Sequence, residues 1–509
     1  MATTQDELSS LAKAVGFDIP PEHIADYLVI LDRAKAAFSA VEAMEDYQPK
    51  PDFAVTPRRD VYFPNRADNP LGAWAYRVTC ADTQPTSDLL QGRTVCLKDN
   101  IAMAGTDATV VTRVLAAGAT VSGKAVCENL SRGAVSATAA TGPVDNPYAV
   151  GYSAGGSSSG TAALVASGAV DLGLGCDQGG SVRIPASLCG LYGFKATTGL
   201  VPYTGIASND ATVDYVGPMT RTCLDCATLL QAVAGVDGLD DRQIAGTPFP
   251  ADVPKYADIL REMDVTKGSL PLKGIRIGIL TEAFTLPTAD AGILAKCRAA
   301  AQLLVTLGAD VRDVSVPMHV QGRAIVTVMA KMGNHMGMQG RATGRRGVML
   351  TDLFAKKNIP YSPEVIEKMN VTSKDGLLTG ELGWTRHALT YPKSVNLMRR
   401  VQHAYDVVLR DEVDYLVMPT TVTPANPYPR PDASPLQQAD NARGKLENTS
   451  PFNGTGHPAL AMPIGFVPAM DNPQLKLPAS MQIVGRYWDE AGILKVAYAW
   501  ESAQDWKTF

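Results

Sequence analysis

Long apolar runs are missing from this 509-residue sequence, although 46% of its residues are hydrophobic. A membrane-spanning helix needs about 18 or more consecutive apolar residues, and no such stretch occurs, so we expect no membrane partner. Basic tracts are missing as well, and the net charge is −5. Proteins that bind nucleic acid usually carry clustered Lys and Arg, so we expect no nucleic-acid partner.

Patterns typical of metal sites and disulfide frameworks are also missing. The histidines show no close metal-ligand spacing, and the eight cysteines are scattered. Cys223 and Cys226 form one Cys-x-x-Cys before an apolar segment, but no second pair follows, which favours a structural role. The first residues carry neither a basic segment nor an apolar core. The sequence therefore predicts a cytoplasmic protein with reduced thiols and no metal.

Glycine and serine are concentrated in residues 151–200. Two serines in this stretch, Ser157 and Ser181, each follow a Gly-Gly pair and stand 24 positions apart. Glycines before a serine allow backbone conformations that a Cβ would forbid, and they let several N–H groups converge on one point. Beside a serine nucleophile such a cluster forms an oxyanion hole. The candidate N–H donors are those of Gln178, Gly179, Gly180 and Ser181.

Flexible linkers have a similar composition, but the flanking sequence argues against a linker here. Residues 161–170 predict a helix that opens on the first loop, and residues 171–176 predict a buried strand that leads into the second. Active sites of α/β folds lie on loops at the ends of such elements. A strand at 275–280, a helix at 291–307 and a strand at 311–316 extend the βαβ pattern, so an α/β fold is predicted.

Three segments resemble the amidase signature family. They are Gly-Gly-Ser-Ser-Ser-Gly at 155–160, Asp-Gln-Gly-Gly-Ser-Val-Arg-Ile-Pro at 177–185, and the apolar run at 94–98 that ends in Lys98. The resemblance covers most of the chain. It implies a mixed twisted β-sheet flanked by helices, and a catalytic Ser–Ser–Lys unit.

On matching positions, the resemblance implies that Ser181 is the nucleophile and that Lys98 is the base. Ser157, in a cis peptide, would pass a proton between them. Three further residues match supporting positions around the oxyanion loop: Asp177, Ser158 and Arg183. The implied reaction is acyl transfer from an amide through an acyl-enzyme, with no cofactor. Burial would favour the neutral form of the lysine that this role requires.

The rest of the chain suggests two regions. Apolar residues recur at helical spacing within residues 1–50, and a Pro- and Asp-rich segment follows at 49–70. We expect a helical N-terminal region with an extended linker over 1–70 and a catalytic domain over 71–509. The N-terminal helices could pack on the core or form a homodimer contact, and the sequence leaves both open. Further along, a polar surface segment is predicted at 236–273, one long helix at 381–411 and a strand at 413–418.

The interval between Lys98 and Ser157 spans 59 positions, which is shorter than the family resemblance implies. Residues 104–106 run directly into a segment, 107–111, that normally lies further downstream. Relative to the family pattern, a loop near the lysine is therefore missing. This leaves open a wider pocket, a replacement loop from elsewhere in the chain, or lost activity.

The sequence thus predicts an amidase that hydrolyses the C–N bond of a small-molecule amide, with esters, anilides and carbamates within reach of the same chemistry. One alternative is the glutaminase subunit of a tRNA-dependent amidotransferase, which shares the motifs. The other is a catalytically impaired, amidase-like binding protein, which the shortened interval suggests.

Overall fold

The computed structural model describes residues 2–357, 360–430 and 432–509. The chain divides into two compact units, Met1–Pro49 and Lys50–Phe509, whereas the sequence placed the end of the N-terminal region at residue 70. None of the described helices has both the length and the apolar character needed to cross a membrane.

The N-terminal unit contains two helices, α1 (Gln5–Ala14) and α2 (Ile24–Glu42). Thr3 donates from both its backbone N–H and its hydroxyl to Asp32, each at 2.6 Å. Lys35 pairs with Glu7 at 2.8 Å. These side-chain contacts join the two helices, and the predicted helical N-terminal region is confirmed.

The second unit carries all the described strands. In chain order they are β1 (Arg58–Tyr62), β2 (Trp74–Ala81), β3 (Thr94–Lys98), β4 (Met103–Ala104), β5 (Thr106–Asp107), β6 (Thr120–Ala125), β7 (Asp145–Asn146), β8 (Ala149–Ser153), β9 (Leu172–Asp177), β10 (Tyr192–Lys195), β11 (Tyr215–Thr220), β12 (Arg276–Leu280), β13 (Asp310–Val314), β14 (Tyr415–Pro419), β15 (Ala459–Pro468) and β16 (Lys476–Val484).

The helices of the second unit are α3 (Thr109–Ala116), α4 (Ser159–Ala166), α5 (Arg183–Cys189), α6 (Cys223–Val233), α7 (Tyr256–Arg261), α8 (Ala291–Thr306), α9 (Met318–Met338), α10 (Thr351–Lys356), α11 (Pro363–Lys368), α12 (Val371–Arg386), α13 (Thr390–Asp411), α14 (Pro435–Asp440), α15 (Pro451–Thr455) and α16 (Glu490–Ala503). Short 3₁₀ turns lie at Pro21–His23 in the first unit and at Asn129–Ser131, Pro250–Asp252 and Thr281–Phe284 in the second.

Twelve strands form one sheet, in the order β1-β2-β6-β3-β9-β11-β10-β15-β16-β14-β12-β13. β3 pairs in parallel with β6 and β9, and β12 pairs in parallel with β13 and β14. The remaining neighbours in this sheet are antiparallel. The sheet is therefore mixed, and helices such as α4 and α8 pack on its strands. The predicted α/β fold with a mixed sheet flanked by helices is confirmed.

The parallel pair β3 and β9 positions the predicted site. Lys98 is the last residue of β3, and Asp177 is the last residue of β9. Since parallel strands bring their carboxyl ends to the same edge of a sheet, both residues reach the same region. Nearly all of the residues in the two strands are buried, which fits strands in the interior of the sheet.

Two element predictions are wrong. The predicted helix at 381–411 is two helices, α12 and α13, separated at His387–Leu389. Pro392 explains the break, because it has no N–H to bond a carbonyl in the preceding turn and is tolerated only near a helix start. The predicted surface segment at 236–273 contains α7, whose Tyr256 and Leu260 are buried.

Candidate active site

Lys98 is completely buried at the end of β3. Its Nζ lies 2.7 Å from Ser157 Oγ and 3.4 Å from the carbonyl oxygen of Cys176. Both partners are uncharged groups. The lysine is therefore placed to exchange a proton with the Ser157 hydroxyl.

Ser157 lies in the Gly/Ser loop between β8 and α4, and the peptide bond that precedes it is cis, as the family resemblance implies. The loop packs closely against α5: a Cβ on Gly155 would come within 2.8 Å of Pro185 Cα. The adjacent Ser158 braces the loop against β9, since its hydroxyl lies 3.2 Å from both the N–H and the carbonyl oxygen of Cys176.

Ser181 stands in the turn between β9 and α5, with 8% of its surface exposed. Its hydroxyl makes no hydrogen bond to any residue that the structure describes, including Ser157. The structure therefore brings Lys98 and Ser157 into direct contact, while the link from Ser157 to Ser181 stays a prediction.

The peptide between Gly179 and Gly180 is held from both sides. Thr449 donates its hydroxyl to the Gly179 carbonyl at 2.7 Å. Because a trans peptide directs its N–H away from its carbonyl, the Gly180 N–H points the opposite way, and it donates to Asp177 Oδ1 at 2.6 Å. The Gly180 N–H, a predicted oxyanion donor, is therefore engaged within the protein.

Two neighbouring peptides are fixed by their carbonyls in the same manner. The Asp177 carbonyl, which belongs to the peptide with Gln178, accepts from Asn453 Nδ2 at 3.0 Å. The Gly180 carbonyl, which belongs to the peptide with Ser181, accepts from the Ile184 N–H at 2.6 Å. The N–H groups of Gln178, Gly179 and Ser181 have no acceptor among the described residues. Of the four predicted oxyanion donors, these three N–H groups therefore remain without a partner among the described residues.

A buried ion pair between Asp177 and Arg183 stabilises this loop. Arg183 donates to both carboxylate oxygens of Asp177, at 2.9 and 3.0 Å, and neither side chain is exposed. Burial by itself would raise the pKa of Asp177, but the Arg183 guanidinium and the Asn453 amide lower it to about 2. Arg183 also donates to Gln482 Oε1 at 2.8 Å and to the carbonyl of Thr449 at 2.8 Å.

Sequence reasoning missed the residues that hold the loop from a distance. Thr449, Asn453 and Gln482 lie more than 260 positions after the loop, and no local pattern gave them a role. Glu128 was missed as well: its N–H donates to the Ser157 carbonyl at 3.1 Å. Its carboxyl group is buried and bound by Thr138, and burial raises the pKa of Glu128 to about 7.

The shortened interval after Lys98 is closed by a tight hairpin. β4 and β5 pair directly around Gly105, whose φ of +74° suits a residue without a Cβ. The chain just after the lysine stays attached to the fold, because Asp99 N–H donates to the Ala125 carbonyl at 2.9 Å. The missing loop has therefore not displaced Lys98 from Ser157.

The cysteine pair is placed as a structural element. Cys223 and Cys226 are fully buried at the start of α6. Burial raises the pKa of both thiols. Such thiols are poor nucleophiles and poor redox groups.

This chain is similar to known proteins over most of its length. A family model described as Amidase matches residues 92–494. An enantioselective amidase of Rhodococcus rhodochrous is 36% identical over 97% of this chain and 94% of its own length. A glutamyl-tRNA(Gln) amidotransferase subunit of Synechococcus sp. (strain RCC307) is 30% identical, covering 82% of this chain and 84% of that protein.

Solved structures show the same fold. The X-ray structure of native peptide amidase from Stenotrophomonas maltophilia superposes with a TM-score of 0.63 at 26% identity. The match covers 82% of this chain and 84% of that one.

Proposed function

Because this chain belongs to the amidase family and acts on the C–N bond of carboxylic amides, we propose that Ser181 is its nucleophile. In this proposal Ser157 and Lys98 relay the proton of Ser181. The observation that carries it is the 2.7 Å contact between Lys98 Nζ and Ser157 Oγ. A serine hydroxyl becomes an effective nucleophile only when a neighbouring base removes its proton.

The reaction proceeds in two stages, acylation and deacylation. Neutral Lys98 accepts the proton of Ser157 Oγ, which accepts that of Ser181 Oγ, while Ser181 Oγ bonds to the amide carbon. The C–N bond then breaks, and the proton returns through Ser157 to the leaving nitrogen. In deacylation the relay removes a proton from water while the water oxygen bonds to the acyl carbon. The bond from that carbon to Ser181 Oγ then breaks, the proton returns through Ser157 to Ser181 Oγ, and the carboxylic acid leaves.

The oxyanion formed in both stages is bound by the loop before α5. The free N–H groups of Gln178, Gly179 and Ser181 are the donors, and the Asp177–Arg183 pair keeps their peptides in place. Each such donor contributes about 3–4 kcal/mol to the stability of the transition state. Esters, anilides and carbamates reach the same acyl-enzyme.

Partitioning of the acyl-enzyme tests this proposal. Amides, anilides and esters that share one acyl group are hydrolysed in the presence of hydroxylamine, and the ratio of hydroxamate to acid is measured. A common acyl-enzyme predicts one ratio for all three leaving groups, because the partition occurs after the leaving group has gone. A ratio that changes with the leaving group would contradict the mechanism.

A glutaminase role is the second candidate, and it rests on the similarity to the amidotransferase protein of Synechococcus. L-Glutamine belongs in the same substrate panel for that reason. A rate on glutamine far above those on simple aliphatic and aryl amides would favour this role. The additional N-terminal helices α1 and α2 favour a free-standing amidase, and the intact Lys98–Ser157 contact argues against an impaired binding protein.

The N-terminal unit also supports a proposal about assembly. α2 leaves large apolar side chains exposed, among them Ile30 at 53%, Phe38 at 64% and Val41 at 67%. We propose that a second copy of this chain covers them.

Light scattering should then give twice the 53.9 kDa chain mass, and Phe38→Glu should reduce the measured mass to that of one chain. Phe249→Glu, at an exposed position of the second unit, is the control that should leave the mass unchanged, and a monomeric parent would refute the dimer.

A further inference from the structure

Glu128 is a buried carboxyl group beside the Gly/Ser loop, and the proton relay does not use it. It follows β6, whose last residue, Ala125, is the register partner of Lys98 at the end of β3. Glu128 is 1% exposed, and no described residue forms an ion pair with it. A buried carboxylate without a cation is stable only when hydrogen bonds satisfy its oxygens.

Glu128 contacts the segment around Ser157 with both its backbone and its side chain. Its N–H donates to the Ser157 carbonyl at 3.1 Å. Its side chain lies against Gly156, where a Cβ would come within 3.0 Å of Glu128 Cγ and 3.1 Å of Cδ. The same Cβ would lie 3.0 Å from the carbonyl oxygen of Gly133, so Gly156 has no free space on this side. The position of the Glu128 side chain therefore determines where the peptide before Ser157 can lie.

Both carboxylate oxygens of Glu128 act as acceptors. Oε1 accepts from the Ala137 N–H at 3.1 Å, and Oε2 accepts from the Thr138 hydroxyl at 2.9 Å. The Thr138 oxygen itself accepts from the Asn129 N–H at 3.1 Å, so its proton is available for Glu128. Oε2 also packs on Gly133, where a Cβ would overlap it. A proton on the carboxyl group would thus face a donor or a close backbone contact instead of an acceptor.

The groups that surround Glu128 bring no opposite charge to it. The segment that it bonds and the Gly/Ser loop contain no acidic or basic side chain. On its own segment, burial raises the pKa of the Cys127 thiol, which stays neutral, and Arg132 extends towards α9 and α12. From β3, the Lys98 ammonium nitrogen reaches Ser157. The ionisation of Glu128 therefore depends on its burial and its hydrogen bonds.

We propose that Glu128 is a positioning residue of the relay, and that only its ionised carboxylate keeps Gly156 in the place that holds Ser157 Oγ on Lys98. The inference deepens the proposed amidase function and rests on the relay described there. Protonation would weaken the hydrogen bonds to the carboxylate and allow Gly156 to shift. Activity then contains a step that follows the ionisation of Glu128, besides any dependence on Lys98.

The pH dependence of kcat/KM tests this role, because a purely structural residue would affect stability without setting a titration. The substrate is an unsubstituted alkanamide, which does not titrate between pH 5 and 9. Burial raises the pKa of Glu128 to about 7, and the bonds from Thr138 and Ala137 oppose that rise. The active, ionised form is lost as the pH falls through this value, so kcat/KM should fall about tenfold per pH unit below it.

Glu128→Gln should remove this step. Glutamine presents one acceptor and one donor end, as a protonated carboxyl does. The variant should therefore show the activity of the acid form at every pH, at least tenfold below the parent at pH 8. Glu501→Gln is the matched control, because burial raises the pKa of Glu501 to about 7 as well. Glu501 accepts from the Cys223 N–H at 3.1 Å, outside the site, so this variant should keep the step.

Thr138→Val should move the step without removing it. The variant deletes a hydrogen bond that lowers the pKa of Glu128. The midpoint should therefore rise, by about half a pH unit or more. Thermal unfolding of each variant shows whether it is folded, and if Glu128→Gln does not fold, Thr138→Val decides alone.

The outcomes separate the two proposals. A step that persists unchanged in Glu128→Gln, or a midpoint that Thr138→Val leaves in place, would overturn the role of Glu128. Failure of the proposed catalytic function would show itself differently, as hydrolysis that survives Ser181→Ala at every pH.

Discussion

Ser181→Ala is expected to reduce kcat for amide hydrolysis by about 10⁴-fold or more, because it removes the atom that bonds to the substrate carbon. Loss of a serine nucleophile has effects of this order in other acyl-transfer enzymes. The hydroxyl of Ser181 makes no hydrogen bond to a described residue, so its loss should leave the fold and KM nearly unchanged. Steady-state kinetics and thermal unfolding of the same preparation measure both quantities.

Ser159→Ala is the matched control. Ser159 belongs to the Gly/Ser motif of Ser157 and is more deeply buried than Ser181, but among the described residues its hydroxyl bonds only to the Val126 carbonyl, at 3.5 Å. Activity within a few-fold of the parent is expected. If Ser181→Ala kept substantial activity, another residue would have to be the nucleophile.

Asp177→Asn should cause the largest loss of stability among single substitutions at the site. It removes the charge that compensates the fully buried Arg183, and breaking a buried pair in this way costs about 3–5 kcal/mol. It also weakens the acceptor of the Gly180 N–H, so the oxyanion loop should lose order and kcat should fall. Urea unfolding measures the first effect and kinetics the second.

The exposed pair of Arg261 and Asp258 provides the control, since its ends are about half exposed. Asp258→Asn should change the free energy of unfolding by no more than about 1 kcal/mol. A similar small change for Asp177→Asn would show that the Arg183 charge is solvated or compensated by other groups.

The difference in unfolding free energy between the parent and Asp177→Asn should become smaller in acid. The folded pKa of Asp177, about 2, is below its ordinary value, so the stabilisation is fully present above that ordinary value, about 4. It is lost as the pH falls from about 4 through 2. The two unfolding curves should therefore differ by a constant amount between pH 5 and 7 and converge on further acidification.

The sequence predicted the parts of this site that are encoded locally. The Gly/Ser loop, the strand before Asp177 and the lysine at a strand end are short segments whose conformation depends mainly on nearby residues. The Lys98–Ser157 contact could be predicted because it follows from a motif resemblance. The mixed sheet could be predicted from that resemblance, but not from strand patterns alone.

The contacts between distant segments could not be predicted from the sequence. The hydrogen bonds from Thr449 and Asn453 to the oxyanion loop depend on how β15 and the preceding turn pack beside β10. Their residue types, an ordinary Thr and Asn, give no signal on their own. The break before α13 lies next to Pro392, which is compatible with the first turn of a helix but not with its interior.

Intact-mass measurement after treatment with a serine-reactive fluorophosphonate tests the central claim most directly, because it requires no knowledge of the substrate. An activated Ser181 predicts one adduct on the parent protein and none on Ser181→Ala, with Ser159→Ala labelled like the parent. No adduct on a well-folded parent, or an adduct that persists on Ser181→Ala, would contradict the assignment of Ser181 as the nucleophile.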